Sequence, residues 1–252
     1  MSSDVIKVTL LFQRAPQFSP TEFQQLWKPW SPSNAQERAA LAARVPALIR
    51  WSRSVPLNAE MPITDAQTGA LDIVEEFWFG SEAAAAAFLG AEETRKWLWP
   101  QQESHLKEGA IQMVAGMAMI MWERPADPQP DAMKLLLFSV AREGMSATEF
   151  QEYWINNHWP LAFAAPGARE RAQKVEFQRS GLDAFSGFAT APFHGGLGMS
   201  GDSLAAFMSG LDNSYYVDVL RPDEPRFSDL SKSSGIIGKE FVLFDPGAGS
   251  PN

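Results

Sequence analysis

One segment of this chain occurs twice. Ser19-Pro20-Thr21-Glu22-Phe23-Gln24-Gln25-Leu26-Trp27 is answered by Ser146-Ala147-Thr148-Glu149-Phe150-Gln151-Glu152-Tyr153-Trp154, a constant 127 positions further on (19 to 146). Recurrence at half the chain length restricts the fold to architectures assembled from two copies of one unit. Shorter echoes agree: Trp51-Ser52-Arg53-Ser54 with Phe177-Gln178-Arg179-Ser180, and Met121-Trp122-Glu123 with Leu243-Phe244-Asp245. Between the copies, residues 123–131 hold Pro125, Pro128 and Pro130 among small and acidic neighbours, which continues neither strand nor helix. The expected division is a first unit over 1–124, a Pro-rich linker over 125–131, a second unit over 132–246 and a frayed tail over 247–252.

Each unit reads as strand, helix, two strands, helix, strand, the order of a ferredoxin-like split βαβ. The first unit predicts strands over 5–14, 47–57, 70–79 and 110–122, with helices over 19–45, broken near 29–32, and over 81–106. The second predicts strands over 133–141, 171–179, 188–199 and 236–244, with helices over 146–165 and 203–220. Ser19 with Glu22 and Ser146 with Glu149 have capping-box spacing. One such unit leaves a sheet face bare, and a second copy covers it. The expected fold is therefore α+β: tandem ferredoxin-like repeats with two antiparallel sheets packed face to face in one chain. The run Leu135-Leu136-Leu137-Phe138 fits a strand covered on both sides, and Trp97, Trp99 and the methionines from Met113 to Met121 are assigned to an apolar core between the sheets.

Composition narrows the function. A net charge of −9, with no basic run, supplies no footprint for nucleic acid or for an anionic membrane. There are no cysteines, and His105, His158 and His194 are the whole supply of imidazole, so neither a metal site nor a cofactor is expected. The start shows no basic region followed by an apolar stretch, and no apolar run reaches spanning length, which predicts a cytoplasmic protein. Aromatic residues make up 12%, with 9 Trp and 17 Phe, enough for apolar cores or a pocket that takes a small aromatic or apolar molecule. The fused pair is free to form a homodimer.

The stretch Glu149 to Ala162, with Phe150, Tyr153-Trp154 and then His158-Trp159-Pro160-Leu161, resembles the first helix of EthD-like proteins of the dimeric α/β-barrel superfamily. Phe193-His194-Gly195-Gly196 is similar to that family's third strand, and Asp223-Glu224-Pro225-Arg226-Phe227-Ser228-Asp229 to its segment before the last strand. The first unit keeps the architecture and loses the motifs, with Ser31 standing where His158 has its counterpart. The resemblance implies pockets between sheet and helices that handle small aromatic or polyketide-like molecules, with the chemistry in the second unit.

Phe150, Trp154, His158 and Leu161 recur on one helical stripe, so the His158 imidazole faces the sheet. One reading is a general acid or base; the competing one is a core histidine satisfied by a carbonyl or by Asn157. His194, beside two glycines, is a second acid or an orienter, or simply a loop histidine. Tyr153 and Tyr215 are candidate phenols, with Tyr216 next in the chain. Arg179 alternates with Phe177 and Val175, as Arg53 does with Trp51 and Ile49, so both guanidinium groups point inward, to an ion pair with Glu75, Glu76 or Glu176 or to a ligand carboxylate. The expected catalytic set is His158, His194, Tyr153 and Tyr215; the substrate-binding set is Arg179, Trp154, Asn157, Phe177 and Arg226. The expected activity is a cofactor-independent lyase (decarboxylase or dehydratase) or isomerase on a small aromatic or apolar acid, with a cofactor-free oxygenase of phenols or a non-catalytic binder of hydrophobic metabolites as alternatives.

Overall fold

A computed structural model describes residues 5–27, 31–57, 67–68, 71–99, 103–107, 111–124, 132–182 and 188–246. The expected linker over 125–131, the tail over 247–252 and residues 29–30 of the expected helix break lie outside them. The strands are β1 (Val5–Phe12), β2 (Leu48–Pro56), β3 (Gln67–Thr68), β4 (Ile73–Phe79), β5 (Gln112–Glu123), β6 (Met133–Ala141), β7 (Ala172–Arg179), β8 (Ala189–Thr190), β9 (Gly195–Gly201) and β10 (Ser228–Phe244). In the first half the spatial order is β5-β1-β4-β2 and in the second β10-β6-β9-β7, antiparallel throughout.

The two four-stranded arrays do not stay separate. β2 pairs with β10 (Arg53 opposite Phe241) and β5 with β7 (Met119 opposite Phe177), which closes one eight-stranded antiparallel barrel, while β3 and β8 add short parallel pairs to β10 and β5. The expectation of two sheets packed face to face is corrected on this point. Each array ends in strands with a row of unpaired N–H and C=O groups, and joining the edges satisfies both rows where stacking the faces would satisfy neither. Each seam depends on a glycine. A Cβ built on Gly116 of β5 would lie 1.6 Å from the Arg179 carbonyl oxygen, and one on Gly238 of β10 would lie 2.1 Å from that of Val55.

Strand alternation sorts the side chains into a barrel interior and an outer layer under helices. On β1, Val8, Leu10 and Phe12 join Phe77, Phe79, Phe88 and Trp99 beneath the helices Pro20–Leu26, Ala35–Arg44, Glu82–Leu89 and Glu92–Leu98. Lys7, Thr9 and Leu11 point the other way. Leu11, Val74, Val114, Leu136, Phe138 and Ile236 form an apolar plug inside the barrel, beside which that interior carries buried polar and charged side chains. Lys7 Nζ lies 2.6 Å from both Glu76 and Glu176, Lys134 bonds Glu76 and Glu240, and Arg50 meets Glu240 at 3.0 Å. The apolar chamber expected between the sheets is thus a paired ionic cluster beside a plug, and the aromatic cores lie outside the strands; Trp99 packs on Phe12 and Phe188 there.

In the second half the expected long helix is three pieces: Ala147–Tyr153, a π-turn Trp154–His158, and Trp159–Ala164. Both capping boxes are formed. A second π-turn, Tyr216–Leu220, comes after the helix Leu204–Leu211 and leads through Arg221–Asp223 into β10, which starts eight residues earlier than the predicted 236. Among the described residues no helix is long and apolar enough to cross a membrane.

Candidate active site

The two π-turns face each other across the outer surface of the second half. A π-turn inserts one extra residue and rotates the downstream side chains about the helix axis, and such insertions gather at functional sites. The first carries His158 at its end, where the Trp159 N–H reaches back to the Trp154 carbonyl. The second delivers Asp223, which is 4% exposed.

These side chains meet. His158 Nδ1 lies 3.0 Å from Asp223 Oδ2, and the Tyr153 hydroxyl donates to Asp223 Oδ1 at 2.7 Å. A carboxylate only accepts, so the hydrogen sits on Nδ1 and Nε2 keeps its lone pair. Phe227 backs the group, with its ring centroid 4.9 Å from that of His158 and stacked on Tyr153 at 5.3 Å. Burial holds the imidazole below its ordinary pKa of 6.5, and the Asp223 carboxylate, which pulls the other way, only partly offsets it. The Tyr153 phenol is raised by burial and by its bond to Asp223.

His158 lines a cavity of about 180 Å³ between the strands and the two helical segments. Leu135, Leu137, Val175, Leu197 and Met199 form its floor, and Trp154, Phe163, Phe207 and Leu211 are among its apolar walls. The polar groups lining it are His158, Tyr216, Glu224 and Arg171. The Tyr216 hydroxyl donates to Glu224 at 3.3 Å, and its pKa is pushed up to about 12, first by burial, so it stays a phenol. Arg171 gives one N–H to the Pro166 carbonyl at 2.7 Å and packs against Gly167 and Gly210, where a Cβ would collide with it.

Of the expected residues, His158, Tyr153 and Trp154 belong to this constellation. His194 is elsewhere: its Nδ1 accepts the Ala141 N–H at 2.9 Å and its carbonyl accepts Gln151, so it ties β6 to the entering chain of β9. Tyr215 donates to the Leu161 carbonyl at 3.1 Å and braces the helix; the tyrosine of the cavity is Tyr216. Phe177 is a core ring packed on Trp154, and Asn157 is exposed. Arg226 is 70% exposed and stands outside Asp223 at 3.7 Å. Arg179 does not line the cavity, where Arg171 takes the place foreseen for it, and its first-half counterpart Arg53 forms the expected ion pair with Glu75 at 2.8 Å. Reasoning from sequence missed Asp223, Arg171 and Glu224. The signal for Asp223 and Glu224 was the motif Asp-Glu-Pro-Arg-Phe, which carries the resemblance without assigning either carboxylate a place in the site.

A closed antiparallel barrel with helices outside is the architecture of the dimeric α/β-barrel proteins. Within it, residues 142–231 match the EthD domain, a span that holds Tyr153, His158, Arg171 and Asp223. No curated protein sequence matches the chain. Solved structures share its fold at low identity. An anthrone oxidase-like protein is 8% identical with a TM-score of 0.57, covering 99% of this chain and 98% of its own. A chlorite dismutase variant from Candidatus Nitrospira defluvii is 11% identical at 0.53, covering 96% and 93%. A Fusobacterium nucleatum subsp. nucleatum protein described as a monooxygenase is 9% identical at 0.51, covering 96% and 94%.

Proposed function

We propose that the chain is a cofactor-independent acid/base enzyme in which His158 Nε2 removes a proton from a small, largely apolar carbon or phenolic acid. The observation that carries this reading is the buried His158–Asp223 pair bordering an apolar cavity. Asp223 fixes the tautomer and balances the imidazolium once it forms, and Tyr153 holds Asp223 from its other oxygen. A base of lowered pKa is unprotonated at neutral pH, and the apolar walls keep water from the transferred proton. Arg171 stabilises the anion left behind, and the imidazolium then returns the proton to a different atom or to a leaving group, which makes the reaction an isomerisation or an elimination. The common strand order and the paired capping boxes support one unit used twice, with the first half, over 1–124, as scaffold.

A second reading keeps the same first step. The names of the anthrone oxidase-like and monooxygenase neighbours favour a cofactor-free oxygenase in which the deprotonated substrate meets oxygen. Incubation with aromatic carboxylic acids, lactones and phenols in heavy water, under nitrogen and under air, separates the cases. Deuterium incorporation reports the proton removal common to both; a new product under nitrogen supports the lyase or isomerase, and product only under air with oxygen uptake supports the oxygenase. Silence in every arm, or full activity in His158→Ala, overturns the acid/base reading.

A further inference from the structure

One wall of the His158 cavity is held from the other half of the chain. Phe163 and Trp159 line the cavity and stack on each other at 5.0 Å. Phe163 comes five residues after His158, about 7.5 Å along a helix axis. Against it stands Trp122 of β5, with its ring centroid 4.9 Å away. Trp122 is opposite Val175 of β7 across the seam that closes the barrel, and Val175 is part of the cavity floor. The Arg169 guanidinium covers both rings, 4.4 Å from Phe163 and 5.7 Å from Trp122. Arg124, two residues on, donates from Nε to the Ala172 carbonyl at 3.0 Å and from Nη2 to the Glu170 carbonyl at 3.2 Å, so the same strand end also grips the stretch that carries Arg171. The other seam repeats the exchange: Phe244, which answers Trp122 in the repeat, stands opposite Trp51 and packs in the first half's aromatic core.

We propose that Trp122, a residue of the first half, is a positioning residue of the second half's cavity: through Phe163 it sets how long an apolar ligand the cavity accepts. The proposal rests on the reading of that cavity as the ligand site. Phe163 sits on a helix of six residues, Trp159–Ala164, none of them fully buried, so the neighbours it touches decide where its ring lies. Those neighbours are Trp159, Trp122 and Arg169. A dry apolar cavity of about 150 Å³ holds one benzene ring. The cavity of about 180 Å³ beside His158 therefore takes one ring with a small substituent while Phe163 stays in place. Truncating the indole leaves a void beside Phe163 that the structure fills only in part, and the phenyl ring gains room to swing away from the ligand. The first half then supplies selectivity to a site whose proton-transfer groups all belong to the second.

The test is calorimetric titration of the full chain with 4-methylphenol and 4-butylphenol. The unaltered chain is expected to bind 4-methylphenol about tenfold more tightly, although the butyl chain offers more apolar surface. Trp122→Leu should remove that preference by raising the affinity for 4-butylphenol about tenfold; Trp122→Met replaces it if the leucine variant does not fold. Lost stability alone would weaken both phenols together and leave their ratio unmoved. Trp122→Phe, which keeps a ring against Phe163, should keep the preference. Phe163→Leu should abolish it, and adding Trp122→Leu to that variant should change nothing further. His158→Gln, of similar volume, keeps the preference while losing proton transfer, so this proposal and the acid/base reading fail by different results. The proposal is overturned if neither phenol binds, if the unaltered chain binds both equally, if Trp122→Leu leaves the ratio unchanged, or if Trp122→Leu moves the ratio as far without the Phe163 ring as with it.

Discussion

Replacing Asp223 by Asn isolates what the buried carboxylate does, since shape is kept and charge removed. Asp223 accepts from Tyr153 at 2.7 Å and from His158 at 3.0 Å; the amide still accepts on one atom and turns a donor toward the other partner. One charge-assisted hydrogen bond is lost from a buried site, worth about 2 kcal/mol of stability in urea denaturation. The imidazole loses its reason to carry hydrogen on Nδ1 and moves it to Nε2, which ends its service as a base. Its pKa falls further below 6.5, because burial lowers it and the carboxylate was the influence raising it. Nitrogen-15 shifts of the ring across a pH titration read both changes, and turnover, once a substrate is in hand, should fall by about 10²–10⁴-fold. If His158 kept its Nδ1 hydrogen and its titration, with a stability change under about 0.5 kcal/mol, the pair would be a mere proximity with no energetic content.

Burial depresses the pKa of both His158 and His194 in the folded chain, so the unfolded chain binds protons more readily; their contribution should be full above about pH 6.5, decline as pH falls from there toward the folded values and level off below them, read as the urea midpoint between pH 7.5 and 5. His194→Ala leaves the Ala141 N–H without its acceptor and should cost about 1–3 kcal/mol in denaturant melts while sparing turnover, which separates it from His158→Ala. Lys7→Met takes from Glu176 its direct cation inside the barrel and leaves Glu76 with Lys134 alone, an expected loss of about 3–5 kcal/mol by the same measurement. Gly116→Val and Gly238→Val each drive a side chain into the facing strand's carbonyl, and either should lower the melting temperature far more than Gly80→Val, where a Cβ would meet nothing.

Local chemistry was legible in the sequence. The capped helices at Ser19 and Ser146, the span of β6 and the stripe that turns Trp154 and His158 toward the sheet all follow from patterns within a few turns of chain. Closure of the barrel was not, because it rests on which distant edge meets which. Lys7 with Thr9 and Glu176 with Gln178 alternate as a solvated face would, and only closure turns them into an interior where Thr9 bonds Gln178 at 2.7 Å. Asp223 was hidden for a similar reason: three charged residues around a proline describe a surface turn, and a π-turn 65 residues away makes one of them buried. Arg179 was misplaced because alternation with Phe177 and Val175 fixes its side of the strand but not how far along the helix layer the cavity lies.

Both barrel halves are parts of one polypeptide, and this changes what mutation can do. In a ring assembled from two identical chains, every substitution is made twice, so a binding cleft cannot be packed solid on one side without losing its twin. Here Phe77, Phe79, Phe88 and Trp99 pack the first side's aromatic core while the second keeps its opening beside His158, and the glycine seams hold the unlike halves in register. Because the two flanks are encoded separately, one is free to supply rigidity and the other to specialise.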